Sequence, residues 1–272
     1  MYRFLTTRRW LIGHVVAVVL VSAFIAAGFW QLDRLSQRIE RNQLIEQRAA
    51  DPPVDLDLAL DEILTGADPG GRLEYRRVTA TGTYLPDLEV LVRSRSLNGE
   101  PGFHLVTPLL LGDMAVLVNR GWVPAALDQA PVMQAAPPEG MVVVAGRLRA
   151  SVEPPTIGPK DPSEGTLHQV FWLNVERLQG QIPYPLAPVT LELVEQDPVS
   201  TRPLPVPLPE PVLDEGPHRG YAIQWFSFGV IGAAGYFFLV RRAARRPAET
   251  PIMTAPGPLP PPLGEGGETP PG

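Results

Sequence analysis

The chain has 272 residues, 44% of them hydrophobic and 19% charged, with 33 prolines, 25 glycines and no cysteine. That length allows a sizeable core. The missing thiols exclude a disulfide scaffold, thiolate zinc or iron–sulfur ligation and covalent haem attachment. A net charge of −6 argues against a general nucleic-acid binder, so no nucleic-acid partner is expected.

Residues 1–9 carry Arg3, Arg8 and Arg9 and are expected to lie in the cytoplasm. From Trp10 to Trp30 only His14 and Ser22 interrupt an apolar run. As a helix it would rise about 31 Å, which matches the hydrocarbon core of a bilayer. The alternative is a cleaved signal peptide, whose apolar region is shorter and ends at an Ala-x-Ala-like site. AFIAAG spaces its alanines wrongly for that, so an uncleaved first transmembrane helix, 10–30, is expected.

Residues 31–217 read as a separate domain. Leu32, Leu35, Ile39 and Leu44 continue the helix to residue 50, and Asp51-Pro52-Pro53 stops it. A short helix follows around Leu56–Leu64, ended by Gly66 and a turn at Pro69-Gly70-Gly71. Thereafter the period changes to two. Strands are predicted at Tyr75–Leu85, Leu88–Ser94, Phe103–Leu111, Met114–Val123, Met141–Arg149, Val170–Leu173 and Val189–Glu195, with hairpin turns at Asn98-Gly99 and Gly112-Asp113. Such strands suggest a mostly antiparallel small barrel or sandwich with a few short helices, among them one at Asn174–Gly180. Ala150–Gly165 reads as a loop, and Pro198–Pro217 as a stiff polyproline-type connector.

A second transmembrane helix is predicted at 221–240, with aromatic residues near both ends. A buried core helix is the alternative. Arg241, Arg242, Arg245 and Arg246 follow it, against Arg219 alone before it. The positive-inside tendency then puts both termini in the cytoplasm and the 31–217 domain outside. Residues 241–272 form the cytoplasmic C-terminal segment, whose Pro/Gly-rich stretch from Pro247 is too poor in apolar runs to build a core and is expected to be disordered.

No hydrolase, metalloprotease, phosphate-loop or dinucleotide motif occurs, so no enzyme is specified. Asp55, Asp57, Asp61 and Glu62 read as a solvated helix face. Of the four histidines, His104 and His168 read as structural or surface residues. His14, inside the first span, is costly unless a partner or water meets it. His218 lies just before the second span, followed at helical spacing by Tyr221, Ala222 and Trp225. An imidazole there could ligate a haem iron while Tyr221 and Trp225 pack on the porphyrin edge and Arg219 meets a propionate. The alternative is an interfacial histidine in an aromatic belt. A helix separating His14 from Trp30 spans about 24 Å, so His14 and His218 of one chain could not share one haem.

Five phrases resemble the Surfeit locus protein family: GFWQLDRLSQR (Gly28–Arg38), EYRRVTATGTY (Glu74–Tyr84), GFHLVTPLLL (Gly102–Leu111), VLVNRGWVP (Val116–Pro124) and HRGYAIQWFSF (His218–Phe228). Their order within a two-span layout covers nearly the whole chain except the tail and variable loops. The resemblance implies a membrane assembly factor for haem–copper cytochrome c oxidase, assisting insertion of haem a into subunit I, with haem a bound transiently at His218. It also matches Tyr221, Ala222, Gln224 and Trp225. Trp30, Gln31, Arg34, Asn119, Arg120, Gly121 and Trp122 match as signature residues without an implied role. The chain departs from the family in having Gly216, Pro217 and Arg219 around the histidine. The expected partners are oxidase subunit I, a haem a synthase and the lipid bilayer of a bacterial cell membrane. A cofactor-free scaffold serving the same partners is the alternative.

Overall fold

A computed structural model describes residues 6–65 and 73–245, with the side chains of 62–65 excepted. Gly66, the turn at 69–71, Arg3, Arg246 and the tail from Pro247 lie outside the described residues. The chain divides into two compact units, one drawn from 1–32 and 218–272, the other being Asp33–Pro217.

In the first unit, the N-terminal part of α1 (Arg8–Ala50) packs antiparallel to α4 (His218–Ala244). Both helices are long and apolar enough to cross a membrane. Their apolar side chains mostly face outward, Val15, Val18, Val230 and Phe238 among them, which sets aside a buried core helix for the second span. Small residues let the two backbones approach. A Cβ on Gly28 would stand 2.6 Å from the Phe226 ring, so only glycine admits that ring. Phe24 stacks on Trp225 with ring centroids 5.9 Å apart, and Phe29 meets Phe226 edge-on at 5.4 Å. His14 finds its partner within the chain, since its Nδ1 lies 2.6 Å from the Tyr236 hydroxyl.

The second unit is a barrel. Its strands are β1 (Val54–Asp55), β2 (Arg77–Tyr84), β3 (Val90–Leu97), β4 (Glu100–Leu111), β5 (Met114–Pro124), β6 (Met141–Ala150), β7 (Gln169–Val170) and β8 (Leu186–Asp197). They form one sheet in the order β1-β2-β6-β8-β5-β4-β3-β7, and a further pairing of β2 with β4 closes five of them into a ring. Counting those five alone, the ring runs first, second, third, fifth, fourth and back to first, with the third and fifth parallel. That is the partly open Greek-key barrel of the OB type. The expected barrel-or-sandwich resolves to a barrel because β2 changes partners: it pairs with β6 up to Thr83 and with β4 at Thr83 and Tyr84. At this crossing a Cβ on Gly82 would come within 2.3 Å of the Leu110 carbonyl oxygen, so the seam requires glycine.

Both hairpin turns form as predicted, with positive φ at Asn98, Gly99 and Gly112. Short helices occupy α2 (Leu56–Thr65) and α3 (Val175–Gln179), the latter capped by the Asn174 side chain accepting from the Arg177 N–H at 2.6 Å. Leu56, Ala59 and Leu60 of α2 join Val78, Leu109, Val118, Val144, Leu148 and Leu191 in the main core. Two differences from expectation stand out. The strand expected at Val170–Leu173 is only Gln169–Val170, because it pairs solely with Leu91 and Val92. The proline-rich segment 198–217 is more than a connector: Val206 and Trp122 exchange both backbone hydrogen bonds at 2.8 Å. β8 leaves β5 after Asn119, and Val206 satisfies the backbone groups thus freed.

Candidate functional site

His218 opens α4, and its Nδ1 lies 2.8 Å from Oε1 of Gln31, 187 residues away. An amide oxygen only accepts, so Nδ1 donates, and in the neutral imidazole Nε2 then keeps its lone pair. Metal-binding histidines are oriented in this way, the second nitrogen held by a carbonyl or carboxylate. The imidazole is half-buried and Gln31 is buried, which holds the ring in place. The arrangement therefore fits a single axial ligand. Among the described residues no group of three or more His, Cys, Asp or Glu side chains could enclose a metal ion.

Of the residues expected to line a porphyrin, Arg219 is exposed and Tyr221 is 47% exposed, both free to meet a ligand. Trp225 is placed differently. One face of its indole is covered by Phe24, and Phe228 packs against it edge-on at 5.9 Å, so it serves the helix pair. Ala222 is buried. Gln31 carried no role in sequence reasoning, since a partner so distant along the chain leaves no periodic signal.

A second polar constellation lies in the barrel unit, where β5 bulges. Leu105 pairs with Gly121 and Val106 with Asn119, leaving Arg120 as the extra residue. Its side chain turns inward, where it and Glu89 are each 1% exposed and 3.6 Å apart. Glu89 also accepts from the Thr107 hydroxyl at 2.7 Å and the Val132 N–H at 2.8 Å. Arg120 donates to the Ala135 carbonyl at 2.8 Å and lies 5.2 Å over the Tyr84 ring. Burial pushes the Glu89 carboxyl up and the Arg120 guanidinium down, and drives Tyr84 up to about 12. The pair ties the 131–135 turn to the barrel wall. Arg120 was visible only as a signature residue, and Glu89 carried no sequence signal at all.

Next to the bulge, the Asn119 Oδ1 accepts from the Gly121 N–H at 3.3 Å, which turns its amide nitrogen toward His104 Nδ1 at 3.2 Å. His104 is therefore a neutral imidazole with its proton on Nε2. Burial, aided by Arg95, lowers its pKa from 6.5 to about 4. A depressed histidine contributes stability that is present above the unfolded pKa and lost as pH falls through the folded one. Thermal unfolding of the full chain should accordingly weaken by about 2 kcal/mol between roughly pH 6.5 and pH 4. His104→Gln should remove that portion of the slope, and an unchanged slope would refute the assignment.

Taken together, two helices long and apolar enough to cross a membrane, with a histidine presented at the first residue of one, precede and follow a Greek-key barrel in the chain. The class is a barrel protein whose chain also carries a pair of long apolar helices. The chain belongs to the SURF1 family, whose model matches residues 18–230. A SURF1-like protein of Mycobacterium tuberculosis is 34% identical over 249 residues, covering 89% of this chain and 88% of that one. Surfeit locus protein 1 of Arabidopsis thaliana is 26% identical over 279 residues, 81% of this chain and 74% of its own. Cytochrome oxidase assembly protein SHY1 of Saccharomyces cerevisiae is 31% identical over 114 residues, 41% of this chain and 28% of its own length.

Proposed function

We propose that this protein is a bacterial membrane assembly factor for cytochrome c oxidase that assists insertion of haem a into subunit I, and that it is not an enzyme. The observation that carries the reading is the Gln31–His218 hydrogen bond, which keeps one imidazole nitrogen available for iron. Family membership and the name of the yeast relative support the oxidase role. The two apolar helices and the mycobacterial relative support a bacterial cell membrane, with subunit I, a haem a synthase and the bilayer as partners. Arg241, Arg242 and Arg245 at the end of α4 support cytoplasmic termini and an extracytoplasmic barrel.

When bound, haem a would supply the iron that the oxidase needs, and a lone histidine suits a transient hold. His218 offers the ligand, Gln31 orients it, and Arg219 and Tyr221 stand free for the porphyrin rim. The engagement of Trp225 by Phe24 favours a second reading, a cofactor-free scaffold that stabilises an oxidase subunit or recruits the synthase. Deleting the gene and recording reduced-minus-oxidised spectra of the membranes tests the shared assembly role. The haem a band and oxidase activity should both fall several-fold. Normal values for both would refute either reading.

A further inference from the structure

The barrel unit has a cavity of about 370 Å³ between the chain after Tyr84 and the 131–140 loop. Among the described residues no lysine, arginine or histidine lines it. Asp87 and Glu139 do, both exposed and neither in an ion pair among the described residues. Donors in the lining are missing or spent. Pro86, Pro131, Pro137 and Pro138 carry no N–H. The Val132 N–H goes to Glu89 at 2.8 Å, and the Tyr84 hydroxyl to Gln196 at 3.2 Å. Glu89 lines the cavity too, but its charge is already met by Arg120 at 3.6 Å. Arg202 donates to the Met133 carbonyl at 2.9 Å and lines a different hollow, beside Val194 and Val199.

The apolar part of the cavity continues onto the barrel surface. Met133 is exposed at its rim, and Gly140 leads directly into β6, where Met141 and Val143 are exposed. These two stand on the outer face of the strand, since Val142 and Val144 between and beyond them are buried. Across the ladder to β8, Val143 is opposite Asp197 and Ala145 opposite Glu195. Both carboxylates are exposed and, among the described residues, also outside any ion pair. An exposed apolar centre with a charged rim is the layout of a protein interface. A rim of one sign selects a partner of the other and speeds its approach. We propose that the cavity and the adjoining face of β6 form a docking site for a partner protein presenting an apolar side chain between lysines or arginines. The apolar side chain enters between the prolines, whose rigid rings have little motion to lose. Its basic neighbours meet Asp87, Glu139 and Asp197. Neither iron nor His218 takes part.

Fluorescence anisotropy with the full chain in phosphatidylcholine nanodiscs tests this with three labelled peptides, empty nanodiscs serving as the blank. The first peptide is Lys-Phe-Leu-Lys. The second has glutamates in place of both lysines, and the third has serines in place of the apolar pair. The first should bind about tenfold or more tightly than either of the others, and should weaken several-fold as added salt screens the rim. Asp87→Lys/Glu139→Lys reverses two exposed charges and should weaken it about tenfold, and Met141→Ser several-fold. Leu58→Ser, at an exposed apolar position on α2, and His218→Ala should change nothing, so docking and haem ligation are read separately. Equal binding of the first and second peptides, or of the first and third, overturns the proposal. Full affinity in the charge-reversed variant with unchanged circular dichroism does so too. Self-association of the full chain that Met141→Ser abolishes would also overturn it, because a second copy would then cover this face.

Discussion

His218→Ala is expected to lower co-purified haem a by more than tenfold, read as Soret absorbance per mole of protein, while the far-ultraviolet circular dichroism stays unchanged. The fold should tolerate the change, because the imidazole is half-buried and its side-chain hydrogen bond is to Gln31 alone among the described residues. Gln31→Leu separates ligation from packing. It keeps the apolar bulk but removes the acceptor that holds Nδ1–H, so the ring loses its fixed tautomer and orientation. Losing such a supporting bond typically costs about 10–100-fold in metal affinity. Gln31→Glu, which still accepts, should keep most of the haem. Full haem content in His218→Ala would eliminate this histidine as the ligand and leave the scaffold reading in place.

Arg120→Met should be the most destabilising single change in the barrel unit, at about 3–5 kcal/mol. The loss comes mainly from what remains behind, a Glu89 carboxylate at 1% exposure with its ion-pair partner gone. The double variant Glu89→Leu/Arg120→Met removes both charges and should recover much of that loss, since replacing a buried pair by apolar groups is often close to neutral. A pH series checks the same point. Burial already holds the Glu89 carboxyl above its ordinary value, and removing Arg120 takes away an influence that lowers it. A carboxyl raised in the folded state favours folding below its unfolded pKa and loses that contribution as pH rises through the folded value. Arg120→Met should therefore regain stability toward acid, whereas the double variant should not. Chemical unfolding of the full chain followed by circular dichroism gives both comparisons. An Arg120→Met cost below about 1 kcal/mol would show that the pair contributes little.

Local chemistry made most of the elements legible. The apolar runs, the Asp51-Pro52-Pro53 stop, the period-two strands and the Asn98-Gly99 and Gly112-Asp113 turns all act through neighbours within a few residues. His218 was legible as a candidate for a similar reason, as a histidine at the edge of an aromatic, apolar run. Its partner was not: Gln31 meets it only because two helices pack antiparallel. The surroundings of Trp225 were hidden for the same reason, since helical spacing placed it with His218 while Phe24, from the other helix, covers one face of its indole.

Composition and periodicity by themselves determined that the chain has two apolar helices, a strand-rich middle and no thiol chemistry. Tertiary structure alone decided that the middle closes into a barrel, for closure depends on β2 exchanging β6 for β4 at Gly82. It also decided that Arg120 points inward, because a one-residue bulge reverses which face a side chain takes. Sequence pattern records each strand's alternation, but ring closure and bulges arise from how strands far apart in the chain meet. Their energies belong to the pairing and to neither strand alone.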